Sequence, residues 1–151
     1  MTPEQLSILQ KLAKDHNFGR GPGHANQVNT LSAKIYHGLV LAGLLNKTEQ
    51  DERVLGAAAL LYDIGLPKEP HNEIAFDLLT DEIPRLTAAN PLPGQELSAI
   101  LYCVLWHRGA TFLKRGTVAV PDLSYAKKMA AILRVADALD RTVRRQGKWD
   151  S

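Results

Sequence analysis

The chain has 151 residues, the length of one compact domain, and its 45% hydrophobic content excludes a disordered or fibrous polymer. A net charge of +2 is too small to imply nucleic-acid binding by itself, and a nucleic-acid partner is not expected. Cys103 is the lone cysteine and cannot form an internal disulfide. A reducing, cytoplasmic setting is therefore expected, with the thiol serving as a small buried hydrophobe in AILYCVLW. No basic-then-apolar leader opens the chain, and LVLAGLL is too short to span a bilayer, so neither secretion nor a membrane partner is expected.

The first predicted element is a helix in TPEQLSILQKLAKDH. Thr2 can cap it, Pro3 suits its first position, and Gln5 completes a capping box. GRGPG, residues 19–23, breaks the chain. A long helix is expected from about His24 to Leu45, because Val28, Leu31, Ile35, Leu39 and Ala42 recur at three- and four-residue steps. Thr48 can cap the next helix, about 49–62, which is apolar on most sides in its last turns and so reads as a central buried element. Gly65 and Pro67 stop it. A shorter helix follows at about 69–80. DEIPRLTAANPLPG, with its three prolines, reads as irregular, and GQELSAILYCVLWHRG as helix again. FLKRGTVAVPD reads as loop, and a last long helix, DLSYAKKMAAILRVADALDRTVRRQG, is capped by Asp122. Strand-like alternation is nearly absent, so the expectation is a single all-α domain over residues 1–151, a bundle of about six helices.

The informative residues are polar groups on apolar faces, because a buried carboxylate needs a cation, hydrogen bonds or a metal. Asp63 ends the most apolar helix in LLYDIGLP. It can be a metal ligand or catalytic base, or a helix-end carboxylate that caps a turn or pairs with an arginine. Asp137 sits in the apolar stretch MAAILRVADALDRT and can be a ligand or pair with Arg134 or Arg141. Of the five histidines, His16 and His37 read as ordinary helix residues. His24, His71 and His107 lie at helix ends, where side chains can reach a shared cleft. Neutral imidazole and carboxylate together suit Mn, Mg, Fe or Zn. These residues are scattered over more than a hundred positions, and their spacing alone does not show that they meet.

Taken together, GHANQVNTLSAKIY, AAALLYDIG and ILRVADALDR resemble the HD-domain superfamily of metal-dependent phosphohydrolases, whose pattern is H…HD…D on a helical domain. Within it, HANQVNTLSAKIYHGL, GAAALLYDIG, HNEIAFDLL, GQELSAILYCVLWHRG and KKMAAILRVADALDR are similar, in the same order, to the C-terminal HD domain of the exopolyphosphatase and guanosine pentaphosphate phosphatase family. The likeness covers about residues 20–145. It implies an HD-like fold and a divalent metal held by His24, Asp63 and Asp137, with Tyr62 in the place of the doublet's histidine. It also implies that His71 and His107 bind a second metal or the phosphate. Arg108, Arg134 and Arg141 would hold anionic oxygens, and Asp63, His107 and Arg108 would form the catalytic set. A metal-activated water would be the nucleophile. Tyr62 departs from the pattern, since a phenol must lose its proton before it binds a metal well.

Two functions stay open. One is metal-assisted hydrolysis of a phosphate ester or anhydride, with a nucleotide or polyphosphate as substrate. The other is a non-catalytic module that binds a polyanion or mediates assembly, as a homodimer for example. In the larger enzymes of that family a separate actin-like domain pair carries out hydrolysis, and none is present in these 151 residues; a short form or a fragment of a longer protein is expected. The late basic residues Arg141, Arg144, Arg145 and Lys148, with Lys114 and Arg115, could form an anion-attracting rim or a solvated helix end.

Overall fold

The computed structural model describes residues 1–89, 94–106 and 122–145, with side chains to 142. Among these residues the architecture is all-α. Helix α1 spans Pro3–Asp15, α2 Pro22–Leu41, α3 Glu49–Leu61, α4 His71–Thr87, α5 Gly94–Trp106 and α6 Leu123–Arg145. None of these helices is long and apolar enough to cross a membrane.

The caps form as their residue types dictate. The Thr2 hydroxyl accepts from the Gln5 amide at 3.1 Å, and the Gln5 side chain accepts from the Thr2 amide at 2.9 Å. Thr48 caps α3 through the Asp51 amide at 3.1 Å, and Asp122 caps α6 through the Tyr125 amide at 3.0 Å. Each such cap contributes about 1 kcal/mol by satisfying an otherwise orphaned N–H.

Helix α3 is the centre of the bundle and packs against α1, α2, α5 and α6. Its run of Ala57, Ala58 and Ala59 is buried, and these small side chains let the neighbouring helices approach closely. Leu55 and Leu61 are buried beside them, each worth roughly 1.5–3 kcal/mol. The buried stripe of α6, Met129, Ala130, Leu133, Ala136, Asp137 and Asp140, follows the three-and-four spacing and carries two carboxylates into the core.

Two expected boundaries move. Helix α2 ends at Leu41 rather than Leu45, closed by backbone bonds from Gly43 N to Val40 O and from Leu44 N to Leu39 O. Helix α4 runs to Thr87, straight through the segment DEIPRLT that reads as irregular. Its apolar stripe explains the difference: Leu79 and Leu86 are fully buried, and the Gln5 amide donates to the Leu86 carbonyl at 2.9 Å, tying α4 to α1. That burial outweighs the amide donor lost at Pro84. Residues 90–93 and 107–121 lie outside the described residues, and the expected loop FLKRGTVAVPD falls almost wholly within 107–121.

Candidate polar cluster at the helix ends

Four chain segments meet at one end of the bundle. Arg20 comes from the turn before α2, and His24 from the first turn of α2. Tyr62 and Asp63 come from the end of α3, His71 from the start of α4, and Asp137, Asp140 and Arg141 from α6. Two glycines permit the approach. A Cβ on Gly19 would lie 2.1 Å from the Asp63 carbonyl oxygen, and Gly19 also has φ +76°, where side chains are strained. A Cβ on Gly65 would lie 2.0 Å from the His71 carbonyl oxygen. At the other edge, the Asn72 amide donates to the Leu105 carbonyl at 2.7 Å and fixes the start of α4 against α5.

His24 is the hub. Its Nδ1 is 2.5 Å from Asp140 Oδ2, and its Nε2 is 2.5 Å from the Tyr62 hydroxyl. The same Nε2 is 3.2 Å from Asp63 Oδ2 and 3.5 Å from Asp137 Oδ1. Tyr62 in turn donates its hydroxyl to Asp137 Oδ1 at 2.6 Å. Asp137 Oδ2 meets Arg141 Nη2 at 3.0 Å, and Asp63 Oδ2 meets Arg20 Nε at 3.1 Å. His71 Nε2 lies 3.2 Å from Asp63 Oδ1, while its Nδ1 is 2.8 Å from Glu69. His24, Tyr62, Asp63, His71, Asp137 and Asp140 are all buried.

Burial pulls the His24 pKa down, but hydrogen bonds to Asp137, Asp63 and Asp140 outweigh it and raise it to about 9. The ring is therefore an imidazolium at neutral pH, with both nitrogens donating. Burial also works against the charge on Asp137, yet His24, Tyr62 and Arg141 hold its pKa below the usual carboxylate range. Tyr62 moves the other way. Burial, then the charges on Asp63 and Asp137, push its pKa well above that of an ordinary phenol, so the hydroxyl keeps its proton. Burial lowers the His71 pKa, and its bonds to Asp63 and Glu69 raise it further than burial lowers it. Asp63, Asp137 and Asp140 thus face Arg20, Arg141 and protonated His24, a balance that spares the cluster an unpaired buried charge.

The structure brings together His24, Asp63, Asp137, His71 and Arg141 from the expected set, with Tyr62 among them. Arg134 is engaged elsewhere, its guanidinium 5.0 Å from the centroid of the Trp106 ring. His107 and Arg108 lie outside the described residues, as do Lys114, Arg115 and Lys148 and the side chains of Arg144 and Arg145. His37 is exposed near Glu52, and His16 ends α1, both apart from the cluster. Arg20, Asp140 and Glu69 were not among the expected site residues. Asp140 carried a signal, since it continues the buried stripe of α6 three residues after Asp137. Arg20 sits in a glycine-rich break, which says nothing of where its side chain goes.

Donor atoms of His24, Asp63 and Asp137 lie within 4.8 Å of one another. Two ligands of one cation, with bonds of about 2.1 Å, sit roughly 3.0–3.4 Å apart, so the separations from His24 suit a metal ion. The Tyr62 hydroxyl does not suit one. It already bridges His24 Nε2 and Asp137 Oδ1, and it carries a proton between donors that a metal would share. The three donors could hold a metal ion, and the Tyr62 hydroxyl is bonded between two of them. No family model, curated protein or solved structure matches this chain.

Proposed function

We propose that this chain is an HD-like helical module that binds a phosphorylated ligand, a nucleotide or polyphosphate, without hydrolysing it. The observation that carries this reading is the pair of guanidiniums at the edge of the cluster. Arg20 and Arg141 are each pinned by a buried carboxylate, and both carboxylates gather on the same imidazole nitrogen of His24. The two arginine side chains are 37% and 41% exposed, so each presents part of its fork to solvent. Arg141 Nε is a buried donor with no hydrogen-bond partner among the described residues. Anchored forks lose little freedom on binding and match the geometry of paired oxygens on a phosphate or carboxylate, which favours an oxyanion over a simple halide. The likeness to the exopolyphosphatase HD domain points to the same ligand class.

Calorimetric titration with pyrophosphate, ATP and polyphosphate in EDTA tests the proposal. Binding should weaken with salt. Arg141→Lys, which keeps a cation on Asp137 but loses the fork, should weaken it about tenfold, the equivalent of one charge-assisted hydrogen bond. Absence of binding at low salt, or binding indifferent to both salt and Arg141→Lys, would sink the idea. A second reading, metal-assisted hydrolysis, is favoured by the spacing of His24, Asp63 and Asp137. It requires the Tyr62 hydroxyl to leave its place. Phosphatase activity above background with added Mn or Mg would establish it.

A further inference from the structure

We infer that the Tyr62 hydroxyl does the bridging work a cation would do at this site, and that it closes the site to divalent metals. The inference rests on the reading of the cluster as metal-independent and names the residue that makes it so.

The geometry is a continuous line of donors and acceptors. Asp140 accepts from His24 Nδ1, His24 Nε2 donates to the Tyr62 oxygen, Tyr62 donates to Asp137, and Asp137 accepts from Arg141. A metal ion would hold His24 and Asp137 together by accepting electron pairs from both. Here one hydroxyl links them instead by a hydrogen bond to each. Both jobs use the same space and the same atoms. The Nε2 atom that a metal would need already faces the phenol oxygen at hydrogen-bond distance.

The hydroxyl cannot step aside cheaply. Tyr62 is 1% exposed and lies between Leu61 and Ile64, which are equally buried. Its ring tilts against His24 with centroids 5.9 Å apart. Swinging it outward would break the core at the centre of the bundle and leave His24 and Asp137 without their bridge. A small cation such as Mg or Zn therefore has to displace a packed side chain before it reaches its ligands. At the same position an imidazole ends short of the phenol oxygen and offers a lone pair instead of a proton. Tyr62 is on this account a specificity-determining residue: it selects against metal at a site whose other donors are spaced for one.

The test is metal uptake, a readout independent of catalysis. Wild-type protein, Tyr62→His and Tyr62→Phe are each incubated with Mn or Zn, dialysed, and analysed for bound metal, with circular dichroism to confirm native helicity. The wild type should retain no stoichiometric metal. Tyr62→His should retain about one ion per chain, lost again on adding Asp63→Asn. Tyr62→Phe, which removes the bridge but supplies no ligand, should bind at least ~10-fold more weakly than Tyr62→His. One equivalent of metal in the wild type, abolished by Asp63→Asn, overturns the inference even if neither Tyr62 variant folds. A natively helical Tyr62→His that takes up no metal overturns it as well. The pyrophosphate titration in EDTA stands apart from these outcomes. Anion binding that persists while the wild type proves to hold metal contradicts only the role given to Tyr62.

Discussion

Tyr36 with Asp51 and Tyr62 with Asp137 are buried pairs with nearly the same bond and different surroundings. Tyr36 donates to Asp51 at 2.6 Å across 15 residues of sequence, and its oxygen accepts from the Thr48 amide at 2.9 Å. Tyr62 donates to Asp137 at 2.6 Å across 75 residues, and its oxygen meets His24 at 2.5 Å. In the first pair the second partner is the backbone, and the result is a staple on the loop between α2 and α3. In the second it is an imidazolium, drawn in with Asp63, Asp140, Arg20 and Arg141. A tyrosine–aspartate bond by itself says only that a phenol is buried and satisfied. What marks a candidate site is the gathering of ionised groups from distant segments around that bond, because desolvating each of them is costly and fold stability alone does not require it.

Four outcomes break or sharpen this contrast. The largest effect belongs to His24→Ala, which leaves the carboxylates of Asp63 and Asp140 short of a cation. It should destabilise the fold by about 3–5 kcal/mol in urea titrations, against about 1 kcal/mol for Tyr36→Phe. Comparable losses from the two would mean that the second cluster is no more charged in practice than the first.

Next comes pH. The His24 pKa is raised above the unfolded value of 6.5 to about 9. The stabilisation it brings is therefore complete below about pH 6.5 and lost as pH rises through about 9. It amounts to about 3 kcal/mol in order of magnitude. Stability measured across that window should fall in the wild type and in Tyr36→Phe, and fall less in His24→Ala, where the raised His71 pKa still contributes. Asp137, whose pKa is lowered, acts in the opposite sense: its share is present above the ordinary carboxylate range and is lost on acidification below it.

Tyr62→Phe should cost about 2 kcal/mol, more than its counterpart at Tyr36, because it strips a partner from an imidazolium and a carboxylate rather than from a carboxylate and an amide. Equal costs would place the two tyrosines in the same structural role. Smallest in stability is Arg20→Gln. Arg20 is 37% exposed but Asp63 is buried and keeps His24 and His71 beside it, so the loss should be about 1–2 kcal/mol, while pyrophosphate affinity falls about tenfold. A loss of stability without a loss of affinity would make Arg20 a structural cation only.

Much of the fold could be read from residue types and spacing. Thr2, Thr48 and Asp122 cap helices as their side chains predict, and the apolar run before Asp63 is the buried centre of the bundle. Pro84 misled because a local helix breaker was overridden by the burial of Leu79 and Leu86, which no local rule weighs. For the site, apolar surroundings flagged Asp63 and Asp137, but only the packing of α2 against α6 places them on one imidazole. Arg20 stayed hidden because a glycine-rich turn announces a break in the chain and not the direction of the side chain within it. With Tyr62, the chemistry of a phenol showed that it is a poor metal ligand. That its hydroxyl stands between His24 and Asp137 became visible only in three dimensions.

The central claim is that a hydroxyl holds this cluster together in place of a metal, and thermal denaturation in EDTA and in millimolar Mn or Zn tests it most directly. The account predicts the same melting temperature in all three, because an ion with no site cannot favour the native state. A metal-dependent rise of roughly 5–10 °C, the size expected from saturating a specific site, would contradict it if Asp63→Asn abolishes that rise.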